Sequence, residues 1–124
     1  MYILLVDSQA KERAALRQQL QLDPELYLVG EISEIGDVLA QAQTAHPDVV
    51  LLEWELPGLD GANMVSALHS LVYPPKVIVF SEKAEAREDA LAAGADAFVS
   101  KGQPVEDMLT VLRVLGRVSP CIIN

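Results

Sequence analysis

Four short apolar runs in this chain each deliver a polar residue whose type could do chemistry. Asp7 and Ser8 follow the first, Glu53 the third, Ser81 the fourth and Lys101 the fifth of five such runs. Two acids, a hydroxyl and an ammonium on one rim would suit a hard cation such as Mg²⁺ together with a phosphoryl group. The carboxylates would serve the metal, and Lys and Ser the phosphoryl oxygens. Each residue also has a plainer explanation. Serines at these places can cap helices, and lone charged residues at strand ends are usually solvated. Convergence on four of five tips is what sets them apart.

The runs that must position these residues are YILLV (2–6), LYLVGEI (26–32), DVVLL (48–52), KVIVF (76–80) and DAFVS (96–100). Mostly continuous rather than alternating, they predict strands buried on both faces of a parallel sheet. Helical spacing appears between them, in Leu16 and Leu20, in Ile35, Val38, Leu39 and Ala42, and in Met64, Val65, Leu68 and Val72. A fourth, Ala-rich helix is expected from Glu82 to Ala93, stopped by Gly94. A fifth is expected from about Pro104 to Val118. Strand then helix, five times, predicts an α/β doubly wound sheet with right-handed crossovers. In such a sheet, ligands bind outside the carboxyl ends of the strands.

Composition narrows the function classes. A length of 124 residues sets one domain with one core, and 51% hydrophobic residues exclude disorder. A net charge of −9, with nine Lys and Arg dispersed along the chain, leaves no basic stripe and argues against direct nucleic-acid binding. No apolar stretch approaches the roughly 20 residues of a membrane span. The single cysteine, Cys121, allows no internal disulfide and fits a reducing, cytoplasmic compartment. His46 and His69 have no companions at ligand spacing, so no zinc site is expected.

Taken in order, ILLVD (3–7), DVVLLEWELPGLDG (48–61), VIVFS (77–81) and AGADAFVSKG (93–102) make the chain resemble the receiver domain of two-component response regulators over nearly its whole length. The resemblance implies a flavodoxin-like, CheY-like fold with five parallel strands in the order 2-1-3-4-5 and five flanking helices. It implies phosphoryl transfer from a histidine kinase to an acid at the third strand's end. Ser81 matches the hydroxyl that binds the phosphoryl group, Lys101 the conserved-role lysine, and Phe98 the aromatic that turns inward. Asp7, Glu53 and the backbone carbonyl of Glu55 would hold Mg²⁺, weakly, because Ser8 replaces an acid.

The departures fall at the centre of that pattern. Glu53 stands where the family has its phosphoaccepting Asp, Glu82 where a small residue is usual, and Gly102 where a proline commonly follows the lysine. Glu carries its carboxylate about 1.5 Å farther than Asp, and in-line transfer is sensitive to such errors. The expectation is a pseudo-receiver that is no enzyme and acts through protein contacts. The alternative is a working phosphoacceptor that tolerates Glu53 or uses another acid, Asp7 or Asp60. Two roles are expected for Glu53: to imitate a phosphoryl group, bonding Lys101 and Ser81, or to form an inert ion pair. A flavin carrier is disfavoured, because DSQAKER after the first strand has no glycine to cradle a phosphate. A Mg²⁺-dependent phosphatase would need an acid where Gln9 stands.

The last helix carries more apolar residues than one core-facing stripe needs. Met108, Val111, Val114, Leu115 and Val118 are therefore expected to form an interface with a second copy or an output domain. The receiver is expected over 1–118, with 119–124 as a tail or the start of a linker to an output domain.

Overall fold

A computed structural model describes residues 1–117. The elements are β1 Tyr2–Val6, α1 Ala10–Gln21, β2 Tyr27–Ile32, α2 Val38–Ala45, β3 Val49–Glu53, α3 Gly61–His69, β4 Lys76–Ser81, α4 Arg87–Ala92, β5 Ala97–Ser100 and α5 Val105–Arg117. All strand pairs are parallel, in the order β2-β1-β3-β4-β5, as expected. The expected tail, and Val118 with it, lie outside the described residues.

The pleat divides the continuous apolar runs between two cores. Leu4, Val6, Val50, Leu52, Val77, Val79 and Phe98 face one side, where Val38 and Ala42 of α2, Val65 and Leu68 of α3 and Ala90 of α4 cover them. Ile3, Leu5, Val49, Leu51, Ile78, Phe80 and Val99 face the other, beneath Leu20 of α1 and Met108 and Leu112 of α5. Every residue of β3 is buried, so its last residue, Glu53, is delivered into the interior.

Local chemistry sets the element ends. Asp60 caps α3 by accepting the Asn63 N–H at 3.2 Å. Gly94, at φ +102°, ends the α4 segment as only glycine does readily. Ser8 is not a helix cap, because Gln9 holds that position at α1. The fourth helix is shorter than expected. Glu82 and Lys83 are non-helical, a 3₁₀ turn spans Ala84–Ala86, and only Arg87–Ala92 is α-helical. The N–H groups of Glu82 and Lys83 are bonded by the side chains of Glu55 and Ser81. Val72 lies beyond the end of α3 and is exposed.

Helix α5 corrects part of the expected interface. Met108 is buried in the core against the sheet, because its position on the helix places it with Leu112. Val111 and Leu115 are half-buried at the margin of that core, and Val114 is exposed.

Trp54, the sole tryptophan, packs over Gly61 at the start of α3. A Cβ at Gly61 would lie 2.1 Å from its ring. We expect Gly61→Ala to destabilise the fold by about 1–3 kcal/mol in urea unfolding, despite alanine's better helix propensity. In a Trp54→Ala background the same change should become neutral or stabilising.

Candidate functional site

The sheet brings the carboxyl ends of β1, β3, β4 and β5 to one rim, and the five expected polar residues stand there in two separate clusters. The first centres on Glu53, which is 1% exposed. Its Oε1 accepts the Ser8 N–H at 3.0 Å and the Ser8 hydroxyl at 2.8 Å, and its Oε2 accepts Lys101 Nζ at 3.2 Å. Lys101 also donates to Glu12 at 2.6 Å and stands 5.1 Å from the centre of the Phe80 ring. One ammonium therefore serves two carboxylates.

The second cluster lies at the end of β4. The Ser81 hydroxyl donates to Glu55 Oε2 at 2.6 Å and accepts the Lys83 N–H at 3.0 Å, while Glu55 Oε1 accepts the Glu82 N–H at 3.2 Å. This corrects one expectation. Ser81 is not bonded to Glu53: the Glu53 oxygens meet Ser8 and Lys101, and the Ser81 hydroxyl meets Glu55. Glu55, expected to offer its carbonyl to a metal and its side-chain charge near the site, enters with that side chain. Phe98 is buried in the core that also contains Ala86 and Ala90. Asp60 serves α3 as its cap and bonds Asn63 Nδ2 at 2.7 Å. The bond between Lys101 and Gly102 is trans, as is every other described peptide.

Glu12 escaped the sequence reasoning. It sits in the first turn of α1, five residues past Asp7, where an acid is ordinarily a solvated, dipole-favoured helix residue. Its only signal was proximity in sequence to an acid at a strand tip. In the fold, carboxylate oxygens of Asp7, Glu12 and Glu53 all lie within 4.8 Å of one another.

That crowding governs the charges. Asp7 is fully buried. Its Oδ1 accepts the Gln9 N–H at 2.8 Å, and its Oδ2 has no hydrogen-bond partner among the described residues. Burial, assisted by the charges of Glu53 and Glu12, pushes the Asp7 carboxyl up to about 7, although the Gln9 N–H opposes this. Burial would raise Glu53 too, but the two Ser8 bonds and Lys101 outweigh it and hold Glu53 below its usual range. Burial would lower Lys101, yet Glu12 and Glu53 together raise it. Glu53 and Lys101 are thus both charged at neutral pH, while Asp7 is the group that yields. Three hard oxygen donors, one with a free buried lone pair, fit a divalent cation such as Mg²⁺ in chemical type.

Comparison with known proteins accords with this geometry. The family model of the response regulator receiver domain matches residues 3–113. The chain is 30% identical over 112 residues to the nitrate/nitrite response regulator protein NarL of Escherichia coli K12, covering 89% of this chain and 52% of that protein. It is 36% identical over 103 residues to a protein-glutamate methylesterase/protein-glutamine glutaminase of Hydrogenovibrio crunogenus, covering 80% and 27%. The chain thus spans about half or less of these curated relatives. Among solved structures, the signal receiver domain of the putative response regulator NarL from Mycobacterium tuberculosis superposes with a TM-score of 0.81 at 27% identity, covering 93% of this chain and 95% of that one. The response regulator domain of Thermotoga maritima CheB superposes at 0.83, with 24% identity and coverage of 97% and 98%, a likeness of fold. With its strand order, its rim of polar residues and a family match across 3–113, the chain belongs to the response regulator receiver domain family.

Proposed function

We propose that this receiver is a pseudo-receiver, one that takes no phosphoryl group at its acceptor position and signals through protein contacts. The observation that carries this is the state of Glu53: a buried carboxylate whose two oxygens are already satisfied by Ser8 and Lys101. A nucleophile must present a free oxygen in line with the incoming phosphorus, and errors of about 1 Å cost on the order of a hundredfold. Glu53 would have to break a buried ion pair to do so. Removing one partner from such a pair typically costs about 3–5 kcal/mol.

Mg²⁺, which the family implies, would be held by Asp7, Glu12, Glu53 and the Glu55 carbonyl, and would supply neutralising charge for an entering anion. Lys101 already neutralises Glu12 and Glu53, and Ser8 offers no anionic ligand, so binding is weak. Partners are a histidine kinase, an output domain or a second copy in the cytoplasm, met partly through Val111, Val114 and Leu115 of α5. Among the described residues no helix is long and apolar enough to cross a membrane.

Three outcomes test this reading. Intact mass after incubation with Mg²⁺ and acetyl phosphate should show no phosphoryl adduct on the native chain and an adduct on Glu53→Asp; a native adduct at Glu53 would refute the proposal. Light scattering at high protein concentration should show dimers that Val114→Glu dissociates. The third concerns Asp7, whose folded pKa of about 7 lies above its ordinary 3.8. Between those values the folded state holds the proton and the unfolded state does not, so this group's contribution to stability falls as pH rises from about 4 through 7. Asp7→Asn should therefore stabilise the protein by a few kcal/mol at pH 8 and by much less at pH 4 in denaturant titrations, on the order of the shift itself.

A further inference from the structure

Resting on the pseudo-receiver reading, we propose that Glu55 is a built-in carboxylate ligand of the β4 end, bonding Ser81 and the Glu82 N–H so that the following loop is held in place without any added group. A hydroxyl and the next residue's backbone N–H, both directed at one anion, form an oxyanion-binding pair. Both oxygens of Glu55 are engaged by that pair, at 2.6 Å and 3.2 Å. The first contact has the short length of a charge-assisted O–H···O⁻ bond. Glu55 is itself exposed, whereas Ser81 is fully buried, so a surface side chain reaches inward to meet a hydroxyl 26 residues away in sequence.

The bond is relayed along the chain. With its proton given to Glu55, the Ser81 oxygen is left to accept the Lys83 N–H, and the 3₁₀ turn Ala84–Ala86 begins only after that. Ala86 at the end of the turn and Ala90 of α4 are buried in the core that holds Phe98. Glu55 therefore fixes the loop leading to Ala86 and Ala90, which share a core with Phe98. Glu53 does not do this: its oxygens meet Ser8 and Lys101, and neither bonds Ser81 or the Glu82 N–H. The donors at the rim are divided among native carboxylates: Lys101 is shared by Glu12 and Glu53, and Ser81 with the Glu82 N–H goes to Glu55. Two negative charges then stand where one glutamate would have supplied only one. Glu55 is a positioning residue in this account, acting on Phe98 and α4 through Ser81 and the loop.

Amide hydrogen exchange by NMR on the full chain at fixed pH tests it. Glu55→Ala should leave the fold intact, since the side chain is exposed. It should speed exchange of the Glu82 N–H by about tenfold, the worth of one charge-assisted bond, and shift the Phe98 ring resonances. Added sodium acetate should restore both, while sodium chloride at equal ionic strength should not. Glu55→Gln, which retains one accepting oxygen, should fall between. Exchange in Glu55→Ala within twofold of native, or a tenfold rise that acetate fails to reverse, overturns the ligand role. A phosphoryl adduct at Glu53 of the native chain would instead overturn the pseudo-receiver reading, and the exchange data would still decide Glu55 by themselves.

Discussion

A carboxylate at 1% exposure at the end of a fully buried strand has to be neutralised, and the arrangement of the whole rim follows from how Glu53 achieves this. An isolated ionised carboxylate is too costly to bury, so the structure surrounds this one with donors. Ser8 supplies two, from its backbone and its hydroxyl, and Lys101 supplies the countercharge. The lysine reaches that position from the loop after β5, with its ammonium over the Phe80 ring and shared with Glu12. Three strands and the first turn of α1 are thereby tied to a single anion.

The same solution determines what the rim no longer offers. Ser8 donates to Glu53 and offers no charge to a metal, and Glu12, the further acid beside Asp7 and Glu53, is already paired with Lys101. A lysine shared by two glutamates has little positive charge left for a third anion, and a serine bonded to Glu55 has no proton for one. The group left over is Asp7, which has one oxygen without a partner and a carboxyl raised toward neutrality by its surroundings. Strain of this kind, concentrated on one buried polar atom, is usual at functional rims and rare in ordinary cores. The family fold is kept intact around it, because the two cores on either side of the sheet depend on aliphatic runs that the rim substitutions do not touch.

The division into two clusters also separates two tasks that a single acid was expected to share. Glu53 secures Lys101 and the β1 end, and Glu55 secures Ser81 and the loop leading to α4. The two glutamates are separated by Trp54, whose ring packs on Gly61 and so fixes where the chain turns after β3. Glu53 ends β3 and Glu55 lies in the turn that follows it, so both stand at the same rim.

Much of this was legible in the sequence. Continuous aliphatic runs with helical spacing between them specify a parallel sheet with covered faces, and strand-end positions are fixed by chain order, so Asp7, Glu53, Ser81 and Lys101 could be placed on one rim. Hydrogen-bond partners were beyond that reach. Whether Ser81 meets Glu53 or Glu55 depends on side-chain reach and on competition with Ser8, and Glu12 joins the site only because α1 packs beside the tip of β1. Met108 likewise looks interchangeable with Val114 in a list of apolar helix residues, and only the angle at which α5 sits on the sheet buries one and exposes the other. The sequence by itself determined which elements form and which polar groups end the strands, since those follow from local pattern and connectivity. Tertiary structure decided how the charges pair, because pairing is settled by distances of a few ångströms between segments up to 90 residues apart.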